Sequence, residues 1–292
     1  MRTTRWSRRK FIANGAGGAA ALQFGGASYA LGAMAPVPSC MLIEEQEEGP
    51  YYVDREIFRK DITEGKRGVP LLLRLTLMDV KRCKPIANAA LDIWHCDALG
   101  NYSGYTSFRP GGPNGPGGPD GMRPPPPGSA MGRHPVGGPP MDGPPKMQPT
   151  DKEVFLRGVQ LTDAKGVVKF MTIYPGCYFG RVNHIHLKAH IGGHNEGSEY
   201  QGGHVAHTGQ IFFPEEITKG VVALEPYSQH EIQRTTLAED RVFNTEHGSQ
   251  SVAGLTALKE GSPLSGYVAS LTLGVDPDVT PAAYRPGPPR GL

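Results

Sequence analysis

The 292-residue sequence holds only four cysteines and no Cys-x-x-Cys. That excludes a thioredoxin-type motif and leaves a structural zinc site unsupported. Excess charge is missing as well: 30 basic against 28 acidic residues give a formal net charge of +2, which points to neither nucleic acid nor an anionic membrane as a partner. There is no long apolar run. The one weakly apolar stretch, ending near Leu31, is short and rich in glycine, which argues against a membrane-spanning helix in the mature protein. Helical periodicity is scarce. Glycine and proline are plentiful, at 40 and 28, but much of that excess sits in one segment and describes an insert, not the fold.

The N-terminus reads Arg5-Trp6-Ser7-Arg8-Arg9-Lys10-Phe11-Ile12 ahead of that Ala/Gly-rich stretch. This resembles a bacterial twin-arginine export signal. Residues 1–35 are therefore expected to be a targeting segment, and the protein to be periplasmic or extracellular. Ser28-Tyr29-Ala30 and Ala33-Met34-Ala35 both fit a cleavage site. Cys40, Cys83, Cys96 and Cys177 would then meet oxidising conditions, where three complete pairings are open. Cys83 with Cys96 is the least favoured, because a strand over 88–96 separates them by roughly 25 Å at about 3.3 Å per residue.

Residues 36–292 read as a single domain. Leucines at 71, 73, 75 and 77 alternate with a period of two, which predicts a strand over 70–80 with one face on a core. Further strands are expected at 89–96, 155–161, 166–174, 183–190, 209–213 and 266–275. Asp163-Ala164-Lys165-Gly166 predicts a hairpin turn between the second and third of these. A short helical or irregular excursion is expected within 214–248. Many short strands with Gly/Pro turns predict an all-β sandwich with long irregular loops. Residues 110–149 are low-complexity Gly/Pro sequence, unable to bury enough apolar surface to offset ordering entropy. They read as a long loop inserted between two strands.

The strongest local signal is Tyr178-Phe179-Gly180-Arg181-Val182-Asn183-His184-Ile185-His186. Residues two apart in a strand share a face, so His184 and His186 project together, as two ligands of one metal ion require. Tyr178 precedes the pair, and Tyr102 follows the strand ending in Cys96. Phenolates favour ferric iron over ferrous. The eight other histidines share no pattern and are expected to serve hydrogen bonding or face solvent.

Leu91 to Tyr105, Phe170 to Arg181 with His184-Ile185-His186, and His207 to Phe213 resemble motifs of the intradiol ring-cleavage dioxygenases, in the same order. Glu48-Gly49-Pro50-Tyr51-Tyr52 is similar to that family's N-terminal active-site strand. The likeness spans roughly 40–275, apart from the insert. It implies a β-sandwich of the intradiol type, with Tyr102, Tyr178, His184 and His186 binding Fe(III). Tyr105 is then packing. The resemblance also implies that Arg181 is the catalytic arginine, that Gln210 lies near the reacting carbon, and that catechol and O2 are the substrates. The product would be a cis,cis-muconate-type diacid, and the enzyme a homo-oligomer. Two phenolates and a hydroxide neutralise a ferric ion, so binding a catechol dianion in place of Tyr178 and the hydroxide avoids burying net charge. Two positions depart from the family pattern. Phe179 stands where proline is common, and Cys177, standing where a bulkier residue is usual, either widens the pocket or joins a disulfide.

Two other readings compete. A cupin-like oxidase would use His184 and His186 but needs a nearby glutamate and a third histidine; Glu196, ten residues on, is too far. A non-catalytic β-sandwich binding or surface module would use the Pro/Gly insert as its contact region.

Overall fold

The computed structural model describes residues 40–54, 57–107, 147–197 and 199–282. The expected export signal at 1–35 and most of the expected loop at 110–149 lie outside the described residues. Among the described residues nine strands form two sheets. One sheet holds β1 (Pro70–Asp79), β2 (Lys84–Pro85), β5 (Val167–Ile173), β8 (Gly254–Ala257) and β9 (Tyr267–Val275). In it β1 pairs antiparallel with β2 and β5 on one side and parallel with β9 on the other, with β8 beyond β9. The other sheet runs β4 (Arg157–Leu161), β3 (Ala90–Trp94), β6 (His184–Glu196), β7 (Glu199–Phe212), all antiparallel. Among the described residues no helix is long and apolar enough to cross a membrane.

The alternation predicted for 70–80 is present. Leu71, Leu73, Leu75 and Leu77 are fully buried while Arg74 between them is exposed. They meet Leu91 and Ile93 of β3 and Ile185, Leu187 and Ala189 of β6 in one apolar cluster between the sheets. Removing that much apolar surface from water is the main term holding the layers together.

Residues 57–62 run along the open edges of both sheets. Arg59 N donates to Val159 O and Val159 N to Ile57 O; Met171 N donates to Lys60 O and Ile62 N to Met171 O, all at 2.8–3.2 Å. This covers edges that otherwise present unpaired backbone groups.

Two details differ from the sequence expectation. The turn at 163–166 is not a hairpin: β4 pairs with β3 and β5 with β1, so the turn carries the chain from one sheet to the other. Its ends are held on opposite sides. Thr162 N donates to Ala89 O at 2.9 Å and Leu77 N to Gly166 O at 2.8 Å. The strands expected at 183–190 and 209–213 are the inner halves of a much longer hairpin, β6–β7, with a bulge between Ala189 and His190. The expected excursion contains α1 (Glu215–Val222), a 3-10 turn (Tyr227–Gln229) and α2 (Arg241–Thr245), and a second 3-10 turn (Gly248–Ser251) follows at its end. Of the open cysteine pairings, Cys40–Cys83 forms, and Cys96 and Cys177 are free and buried.

His95 is fully buried at the end of β3, with Nδ1 2.8 Å from Cys96 O and Nε2 2.7 Å from Thr172 Oγ1. Burial lowers its pKa to about 4. Between that value and the unfolded value near 6.5 the unfolded chain binds the extra proton, so stability falls as pH drops through this window, by up to about 3 kcal/mol. Denaturation of the parent and of His95→Gln from pH 7 to 4 should show a shallower acid loss in the variant; equal slopes would remove His95 from the account.

Candidate active site

The inner half of strand β6, from His184 to His190, is buried on both faces. Ile185 and Leu187 point into the core, so His184 and His186 point outward from their sheet. In register, His186 lies between Trp94 of β3 and Gln210 of β7, and His184 lies opposite Phe212. The Trp94 indole stacks on the His186 ring at 5.0 Å, nearly parallel. His184 Nδ1 donates to Val182 O at 2.6 Å, which leaves its Nε2 with a lone pair. The Nε2 atoms of the two histidines lie 3.0 Å apart.

Two loops roof this face. The first is shaped by Asp97, whose Oδ1 accepts from Leu99 N and Asn101 N at 3.0 Å each; it delivers Tyr102. The second delivers Tyr178 and Arg181 as the two corners of a turn closed by Arg181 N to Tyr178 O at 3.0 Å. Gly180 occupies the third turn position with φ +76°, the left-handed region that a type II turn requires. The loops touch at Gly176, where a Cβ would come within 2.2 Å of Asp97 O; only glycine lets them approach. The Tyr178 ring lies 5.8 Å from Tyr102 and 5.6 Å from His184, and Tyr102 lies 6.2 Å from His186. All four side chains are buried. Tyr105 packs beside them, its hydroxyl donating to Tyr52 O and Met147 O at 3.2 and 2.9 Å.

Arg181 is held from several sides. Its Nε donates to Asp240 at 2.9 Å, one terminal nitrogen donates to Gln210 Oε1, and the other lies 3.4 Å from Tyr178 Oη and 3.8 Å from Glu47. Gln210 Nε2 donates in turn to Glu47 O at 2.9 Å. Asp240 is fully buried and also accepts from Val182 N and Phe243 N at 2.8 Å, capping α2. The structure thus brings Tyr102, Tyr178, Arg181, His184, His186 and Gln210 together. Sequence reading passed over Asp240 and Glu47. An aspartate just before a helix is a cap signal, but nothing in the chain order ties it to Arg181, 59 residues earlier.

The fold is similar to that of an intradiol ring-cleavage dioxygenase from Tetranychus urticae, 31% identical, covering 84% of this chain and 98% of that one with a TM-score of 0.64. A second solved dioxygenase is 32% identical over 82% of this chain and 95% of the other, with a TM-score of 0.62. The chain belongs to the intradiol ring-cleavage dioxygenases. No family model matches the sequence, and no curated protein does. This intradiol dioxygenase is accordingly an oxidoreductase, and the reading as a non-catalytic module is set aside. The cupin-like reading fails on geometry: among the described residues no three His, Cys, Asp or Glu side chains converge.

The family uses non-haem iron, and the donor set of this dioxygenase fits such an ion. The Tyr102 hydroxyl is buried without a hydrogen-bond partner, a costly arrangement unless a ligand or ion completes it. Burial pushes His184 and His186 well below the usual imidazole range, so both are neutral, as ligands must be. Burial raises the Tyr102 hydroxyl well above the usual phenol range and Tyr178 to about 12, with Arg181 opposing both. A trivalent cation reverses that preference. In Gly180→Ala, open space around the added Cβ leaves only backbone strain, a loss of about 1–2 kcal/mol. Gly180→Asn should lose less, and equal stability of both variants to the parent on urea denaturation would argue against the strained turn.

Proposed function

We propose that Tyr102, Tyr178, His184 and His186 hold one Fe(III) ion, and that the enzyme opens a catechol ring with O2 between its two hydroxyl-bearing carbons to give a cis,cis-muconate-type diacid. The observation that carries this reading is the buried, partnerless Tyr102 hydroxyl, on a ring 6.2 Å from His186, beside two imidazole nitrogens 3.0 Å apart. When bound, the ferric ion would draw electron density from a catecholate and so make a ring carbon reactive toward oxygen.

The protein's own groups set the conditions for that chemistry. A catechol sheds two protons on binding as a dianion. Tyr178 Oη would take one of them on leaving as a neutral phenol, and a hydroxide held with the ion would take the other and leave as water. Arg181, cationic throughout and 3.4 Å from that oxygen, compensates negative charge on the substrate as it develops. Its orientation is fixed by Asp240 and Gln210, so little reorganisation is needed. Gln210 is held on Glu47 O and presents its carbonyl to Arg181. Burial of the whole cluster excludes water, which strengthens each of these interactions. The twin-arginine-like leader supports export, a route that carries folded, cofactor-loaded proteins.

The iron-loaded protein should be red-brown from phenolate-to-iron charge transfer. Tyr102→Phe and His184→Ala should each lose the colour, the iron and the ring-opened product. Arg181→Ala should keep iron and colour but turn over roughly 10²–10³-fold more slowly. Full turnover in either ligand variant, measured by product absorbance and metal content, would overturn the ligand assignment.

A further inference from the structure

A third tyrosine in the cluster has no established role. Tyr51 is buried, stacks on Tyr102 at 4.5 Å with an interplanar angle of 18°, and meets Tyr178 edge-on at 5.9 Å. Its hydroxyl is buried and has no hydrogen-bond partner. Other buried tyrosines contrast with it. The hydroxyl of Tyr105 donates to two carbonyls, Tyr174 pairs with Thr218 at 2.6 Å, Tyr227 donates to Tyr174 O at 2.7 Å, and Tyr200 accepts from Gly193 N at 2.8 Å. Among the described residues, fully buried tyrosine hydroxyls without a partner occur on Tyr51 and on the proposed iron ligand Tyr102 alone.

Packing alone does not account for the oxygen. The position of Tyr51 is fixed through its backbone. The buried Arg157 side chain donates to Tyr51 O at 2.8 Å and, through the same nitrogen, to Ser103 O at 2.7 Å. That guanidinium therefore ties the Tyr51 segment to the residue after Tyr102. Two residues earlier, Gly49 lies against the His186 ring, where a Cβ would come 3.0 Å from Cε1. The rings of Tyr51 and Tyr102 share surroundings: they lie 5.9 and 5.8 Å from the Tyr178 ring. A phenylalanine would keep the ring stack and avoid burying an unsatisfied donor. A tyrosine is favoured only where something outside the chain accepts its hydrogen bond.

We propose that Tyr51 is a further substrate-contacting residue, its hydroxyl donating a hydrogen bond to an aryl oxygen of the bound catechol. This rests on the catechol reading above. The chemistry is that of an oxyanion meeting a pre-positioned neutral donor, with Arg181 supplying the positive charge.

The test is Tyr51→Phe in the full chain, beside Tyr105→Phe as a control whose lost hydroxyl has partners. Tyr51→Phe should leave the melting temperature of the metal-free protein unchanged or higher. Iron content and the resting visible band should also be unchanged. The dissociation constant for catechol, titrated without oxygen, should rise about 10- to 100-fold. Tyr105→Phe should lower the melting temperature and leave that constant alone. Parent-like catechol affinity in Tyr51→Phe would overturn the proposal. So would a lower melting temperature, lost iron or a shifted resting band, since the hydroxyl would then serve the fold or the metal. If the iron-loaded parent itself fails to bind catechol, the substrate reading falls first and takes this proposal with it.

Discussion

Everything in this enzyme depends on the inner half of one strand being buried on both faces. Strand β6 supplies Ile185 and Leu187 to the sandwich core and His184 and His186 to the opposite side. Because side chains alternate strictly, the two imidazoles cannot move relative to the core without moving the leucine layer behind them. The neighbouring strands extend this rigidity. Trp94 and Gln210 flank His186 in register, so one row across three strands presents an indole, an imidazole and an amide at fixed spacing. Sites built on sheet interiors are held more tightly than sites built on loops alone.

The remaining groups arrive on loops, and the fold compensates for that with buried hydrogen bonds. Asp97 shapes the Tyr102 loop, Asp240 anchors Arg181 and the Val182 amide, and Arg157 ties the Tyr51 segment to Ser103. The N-terminal segment closes the side. Gln46 N donates to Thr208 O at 3.0 Å, and Gln210 N donates to Gln46 Oε1 at 2.6 Å, so β7 is covered beside the site. Each of these interactions satisfies backbone groups that would otherwise be buried without partners. Tyr51 Oη, Tyr102 Oη, Trp94 Nε1 and His186 Nδ1, all around the proposed site, are buried without a partner, as are Asn183 Oδ1, His204 Nε2 and His207 Nε2.

Cys177 illustrates how local departures play out. It is free, not paired, and lines a cavity of about 310 Å³ together with Ala98, Asn183, Tyr227, His230 and Arg234. The cavity lies against the Tyr178 loop, and Arg181 and Gln210 are not part of its wall. Cys177 forms no disulfide, and none of the four proposed ligands lines the cavity beside it.

The sequence by itself determined the sandwich class, the leucine face of β1, the pairing of His184 with His186, and the two tyrosines. Those signals are local: a period of two, a His-x-His spacing, and short motifs in order. The tertiary structure alone decided which strands share a sheet. A turn such as 163–166 has the same residues whether it joins paired strands or crosses between layers, and only the distant partners Ala89 and Leu77 settle it. The reach of the β6–β7 hairpin was hidden because its Gly- and His-rich outer half lacks alternation. Asp240, Glu47 and the isolation of the Tyr51 hydroxyl were equally out of reach. Each depends on contacts across more than 50 residues, or on a missing contact, and neither leaves a trace in the chain order.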